Sequence, residues 1–159
     1  MKNVTVDISD FKVSDEREAV LVTYALGSCV AVLLHDPVRV AAGMIHYMLP
    51  LSEISPEKAR LTPAMFADTG IPLLFKAMYD LGCRKQDLVA KVTGGGALYD
   101  DHGMFDIGKR NYVVLRKMFW KNGVIIAAED VGGAKSRTAR LHVETGRATV
   151  ASHGEEVEL

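Results

Sequence analysis

The chain has 159 residues, 48% apolar and 25% charged, with 19 basic and 20 acidic side chains and a formal charge of −1. That length suits one domain over residues 1–159 with a single sizeable core, and the charge balance argues against nucleic acid as a partner. The opening MKNVTVDISDF lacks the apolar core of a secretory signal, and no stretch approaches the roughly eighteen apolar residues of a membrane span, so no membrane insertion is expected.

In chain order, NVTVDIS (3–9) alternates weakly and reads as an edge strand. AVLVTYA (19–25), SCVAVLLH (28–35) and VAAGMIHYML (40–49) are rich in strand formers. The last two are apolar on both faces, which implies a central position covered on each side. SEISPEKAR reads as a polar loop. A helix is expected to start at Thr62 with Pro63 in its first position and to stop at Gly82, with Pro72 kinking it or delaying its start. Its expected apolar face is Phe66, Thr69, Leu73, Leu74, Ala77, Met78 and Leu81.

DLVAKVTGGG (87–96) reads as a strand ending in a glycine loop, too unlike a phosphate-binding motif to suggest one. Asp106 caps a predicted second helix, 107–122, that buries Val114, Leu115, Met118 and Phe119 before Gly123. VIIAAED (124–130) is a further strand, VGGAKSR a flexible link, and TARLHVE and RATVASH flank a hairpin turn at Thr145-Gly146. The acidic end, residues 154–159, is expected to be loosely held. Strands at both ends with helices between them predict an α+β sandwich.

Cys29 and His46 stand out in this pattern. If Asp36-Pro37-Val38-Arg39 is a symmetric four-residue loop, His35 pairs with Val40 and, by the same count, Cys29 pairs with His46. Their β-carbons would then be about 4.5–5.5 Å apart on one face. A thiol beside an imidazolium is a potential nucleophile, because the neighbouring charge populates the thiolate. Gly27 permits close backbone approach, and amides around Ser28 and Cys29 are candidate oxyanion donors. Thr23, in the preceding strand, is the nearest hydroxyl able to orient the ring. A buried cysteine and a satisfied core histidine would give the same pattern, so geometry leaves packing and chemistry both open.

Elsewhere the signals are weaker. Cys83 at a helix end reads as structural, and with only two cysteines, no CxxC spacing and no disulfide pattern, reduced thiols and a cytoplasmic location are expected. His35, His102, His142 and His153 have no metal-ligand spacing, so no metal or cofactor is expected. Lys135, Arg137 and Arg140 read as a solvated basic cluster, Asn111 as a support for the glycine loop, and Tyr99 and Phe105 as candidate partner contacts.

LGSCVAVLLHDP and GMIHYMLP, followed in order by FADTGIPLL, KVTGGGAL, DIGKRN, EDVGG and TG, resemble the chemoreceptor glutamine deamidase family, CheD. The resemblance covers most of the chain and implies a three-layer α/β/β sandwich with Cys29 as nucleophile, His46 as catalytic histidine and Thr23 in support. It also implies a substrate glutamine on the cytoplasmic helices of a methyl-accepting chemotaxis receptor, deamidated to glutamate. A CheC-type phosphatase is an implied partner, and a non-catalytic regulatory role through it is the alternative. Methylester cleavage or amine transfer would use the same nucleophile. One departure is GGGALYDDHGMFDIGKRN, longer than the family pattern between its glycines and IGKRN.

Overall fold

The computed structural model describes residues 1–97 and 106–159. In chain order the elements are β1 (Lys2–Thr5), β2 (Asp10–Ser14), β3 (Ala19–Leu26), β4 (Val30–Asp36), β5 (Ala41–Tyr47), α1 (Pro56–Leu61), α2 (Ala67–Asp80) and β6 (Val89–Gly94). There follow α3 (Ile107–Lys121), β7 (Ile126–Val131), β8 (Arg137–His142), β9 (Ala148–Ser152) and β10 (Glu155–Glu158). The first sheet has the order β1-β3-β8-β9-β10 and the second β2-β5-β4-β6-β7.

Side-chain alternation along β4 shows how three layers arise. Val30, Val32 and Leu34 pack with Leu74 and Met78 of α2 and Leu115 and Phe119 of α3. Cys29, Ala31 and Leu33 point the other way, into a core shared with Leu21 of β3 and Leu141 of β8 in the first sheet. The second sheet is thus covered on both faces, as its unbroken apolar strands require. The fold is the expected α+β sandwich of helices, sheet and sheet.

Several local expectations change. SEISPEKAR contains α1, started by Ser55, whose hydroxyl accepts from the Lys58 amide, with Pro56 in the first turn. Pro63 opens a short 3-10 turn, and α2 begins only at Ala67. Its buried face is Ala67, Gly70, Ile71, Leu74 and Met78, which shares Leu74 and Met78 with the predicted stripe and is otherwise rotated about the helix axis. Pro72 lies within α2, and Gly82 ends it with φ 95°. DFKVS forms β2, an edge strand too short and polar for its pattern to stand out.

Glycine-rich VGGAKSR is tied down rather than flexible: the Gly132 amide donates to the Gly94 carbonyl and the Ala97 amide to Gly133. The acidic end is also ordered into the sheet. β10 pairs antiparallel with β9, Leu159 packs on the inter-sheet core, and Lys91 donates to its carbonyl oxygen. Arg137 is not surface. It is 2% exposed, donates to the Gly94 and Gly132 carbonyls, and lies 3.5 Å from Asp130. His102, Tyr99 and Phe105, with part of the long glycine-to-IGKRN stretch, lie outside the described residues.

Candidate active site between the two sheets

The β4–β5 hairpin has a four-residue loop, but one residue later than expected. Asp36 still pairs, with Ala41, and its carboxylate accepts from the Val38 and Arg39 amides while its carbonyl accepts from Val40. Asp36 thus closes the turn as well as ending the strand, and Val40 takes the left-handed φ of 57°. Ala31, not Cys29, therefore stands opposite His46. The shift of two residues preserves facing, because strand side chains alternate with period two. Cys29 and His46 remain on the inter-sheet face as diagonal rather than direct neighbours.

Thr23 reaches His46 from the opposite sheet. Its Oγ1 lies 2.7 Å from His46 Nδ1 and 2.7 Å from the Val6 carbonyl oxygen. A carbonyl only accepts, so the hydroxyl proton goes to Val6 and the oxygen accepts from Nδ1–H. This fixes the ring tautomer: Nε2 is the bare nitrogen. Nε2 is buried and has no hydrogen-bond partner among the described residues. Immediately after Thr23, β3 carries one extra residue relative to β8, with Ala25 at φ 57°. Such bulges re-aim side chains, and here Tyr24 and Ala25 turn out to solvent while Thr23 stays buried.

A cavity of about 230 Å³, lined by Thr5–Ile8, Tyr24, Ala25 and His46, opens this region to the surface. The β1–β2 connection is fastened beside it by the Ser9 amide, which donates to the His46 carbonyl. Cys29 is 9% exposed and His46 1%. Burial pushes the thiol up to about 11 and the imidazole down to about 4, the latter opposed in part by the Asp7 charge. The resting pair is therefore neutral thiol and neutral imidazole. This corrects the expectation of a thiolate populated by an imidazolium, since desolvation disfavours both charged forms.

The Cys29 loop is held from two sides. Gly95 and Gly96 donate through their amides to the carbonyls of Cys29 and Gly27, each at 2.8 Å. Gly94, at φ 110°, passes so close that a Cβ would lie 2.3 Å from the Cys29 oxygen. Asn111 supplies the second hold. Fully buried, its Nδ2 donates to the Ser28 carbonyl at 2.9 Å and the Met48 carbonyl at 2.8 Å. It thereby clamps the segment before Cys29 to the one after His46, rather than supporting the glycine loop as expected. A polar side chain on the buried stripe Gly108, Asn111, Leu115 and Phe119 was the legible sign of it.

The Gly27 amide is engaged locally, donating to the Ala25 carbonyl at 3.1 Å. Cys83 is buried away from this cluster in the helix-side core. Among the described residues no three His, Cys, Asp or Glu side chains gather as a metal site, and no helix is long and apolar enough to cross a membrane.

Residues 48–152 match the family model described as CheD chemotactic sensory transduction. The chain is 53% identical over 154 residues to a probable chemoreceptor glutamine deamidase CheD 1 of Syntrophus aciditrophicus, covering 97% of this chain and 96% of that one. It is 49% identical to a probable chemoreceptor glutamine deamidase CheD 2 of Anaeromyxobacter dehalogenans, covering 96% of each. A similarly named protein of Solibacter usitatus is 45% identical across 100% of this chain and 94% of its own length. Among solved structures, Neisseria meningitidis protein NMB0706 aligns with 84% of this chain and 63% of its own at 11% identity and a TM-score of 0.45, too loose to bear on function. With most of its length matched by the family model and nearly all of it by these relatives, the chain belongs to the CheD family.

Proposed function

We propose that this protein deamidates glutamine side chains on the cytoplasmic helices of chemotaxis receptors, with Cys29 as nucleophile, His46 as base and then acid, and Thr23 as the residue that orients the ring. The observation that carries this reading is the unpartnered Nε2 of His46, on the same strand face as Cys29, with the other ring nitrogen fixed by Thr23. The names of the relatives supply the substrate class.

The resting pair is neutral, so the thiol gives up its proton as it attacks. The Cys29 sulfur bonds to the carboxamide carbon, its proton passes to His46 Nε2, and the carbonyl oxygen becomes an oxyanion. Because the Gly27 amide is engaged, the Ser28 and Cys29 amides are the proposed oxyanion donors. Collapse breaks the C–N bond, and Nε2 returns the proton to the departing ammonia. Water then loses a proton to Nε2 and attacks the thioester. The C–S bond breaks, glutamate is released, and the thiol is restored.

The test is incubation with a receptor cytoplasmic fragment, following glutamine-to-glutamate conversion by mass spectrometry. Cys29→Ala is expected to abolish conversion, and undiminished conversion would overturn the mechanism. The alternative, regulation through a CheC-type phosphatase without catalysis, instead requires Cys29→Ala cells to retain normal chemotaxis. Added amines distinguish hydrolysis from amine transfer, since hydrolysis yields only glutamate and ammonia.

A further inference from the structure

α3 turns Leu115 and Phe119 into the core, and its outward surface breaks two local rules. Ile107–Lys121 holds Lys109, Arg110, Arg116, Lys117 and Lys121 but no acidic residue. Lys109 and Arg110 lie in the first turn, where the positive end of the helix dipole disfavours cations. Trp120 is 83% exposed, an unusual position for so large an apolar side chain. Among the described residues, Lys109, Arg110, Lys117 and Lys121 enter no ion pair. Arg116 instead donates to the Tyr112 hydroxyl.

The exposed residues also have a pattern. Arg110, Val113, Lys117 and Trp120 follow one another at steps of three, four and three, and all four are exposed. That is the spacing with which one helix receives another, and the stripe spans about 15 Å at roughly 1.5 Å per residue. A nucleic-acid backbone would need the cations alone, and a lipid surface a continuous apolar face, whereas the apolar face of α3 is spent on the core and only Val113 and Trp120 alternate with cations outside. The occupant that matches both features is a helix carrying carboxylates beside small apolar contacts.

We propose that the outward face of α3 docks an acidic helix of the receptor, outside the catalytic cavity. The proposal rests on the receptor being the substrate. Asn111, on the opposite side of α3, donates to the Ser28 carbonyl, so the docking helix is fixed to the segment that carries Cys29, while the thiol itself faces the other side of the second sheet. Docking here raises the local concentration of the target glutamine without adding contacts to the reacting group.

Binding is measured by titration calorimetry between a receptor cytoplasmic fragment and the full chain carrying Cys29→Ala, which separates docking from turnover. Adding Arg110→Glu with Lys117→Glu, or Trp120→Ala alone, is expected to weaken binding about tenfold, with an unchanged melting curve as the control for folding. In the chain with Cys29 intact, the same substitutions are expected to raise KM for the fragment while kcat, and turnover of a short glutamine peptide, stay level. Unchanged fragment binding in both variants overturns the docking proposal. So does a loss confined to binding of phosphatidylglycerol-containing vesicles. A fragment that binds through α3 yet is never deamidated supports docking and sinks the enzymatic reading, whereas a fragment deamidated equally by all variants sinks docking alone.

Discussion

His46 is neutral in the folded protein because burial removes the water that would solvate an imidazolium, taking its pKa from 6.5 to about 4. The sign follows directly. Between those values the unfolded chain binds a proton that the folded chain does not, so acidification favours unfolding. The contribution is fully present above pH 6.5 and is lost as pH falls through about 4, amounting to roughly 3 kcal/mol. Denaturant unfolding at neutral pH and near pH 4 is expected to show this loss in the native chain and a smaller one in His46→Gln. If His46 Nε2 is the base, kcat/KM stays level down to about pH 4 instead of falling near 6.5. An acid limb near 6.5 would place the proton on another group.

At the scale of elements, strands meet a loop and a helix around Cys29, and Asn111 joins them. Asn111→Leu keeps the branched shape but takes the donor from the Ser28 and Met48 carbonyls, whose bonds to Asn111 are half-buried, at a cost of about 1–2 kcal/mol each. The expected result is a stability loss of about 2–4 kcal/mol, with kcat falling more than KM because the segment before Cys29 is freed. Chemical unfolding and steady-state kinetics check both. Much of this arrangement was legible in the residues. The apolar runs of β4 and β5 announced a doubly covered centre, and an even loop kept Cys29 and His46 on one face. The register was not legible, because it turns on Asp36 capping its own turn and Val40 accepting a left-handed backbone. Nor was the bulge at Ala25, which no glycine marks. Thr23 could be named as the hydroxyl for His46, but that it reaches the ring from the facing sheet depends on how two sheets stack, which no local pattern encodes.

For the whole molecule, the ten strands among the described residues divide into two sheets whose edges need covering. β10 covers β9, and its Glu155, Glu156 and Glu158 leave a charged border that discourages further strand addition. Removing residues 155–159 is expected to lower stability by about 1–3 kcal/mol and to promote self-association through the bared β9. Denaturant midpoints and light scattering against the full chain test this; a truncated chain equally stable and monodisperse would show the strand to be dispensable.

Thr23 and His46 belong to different layers, yet the bond between them determines which ring nitrogen is bare. The proposed chemistry is therefore also a gauge of alignment: a slippage of one layer against the other by a fraction of a bond length would silence the base while every strand stayed paired. Warming should accordingly extinguish turnover before the circular-dichroism signal moves, so that the enzyme goes quiet while it is still folded.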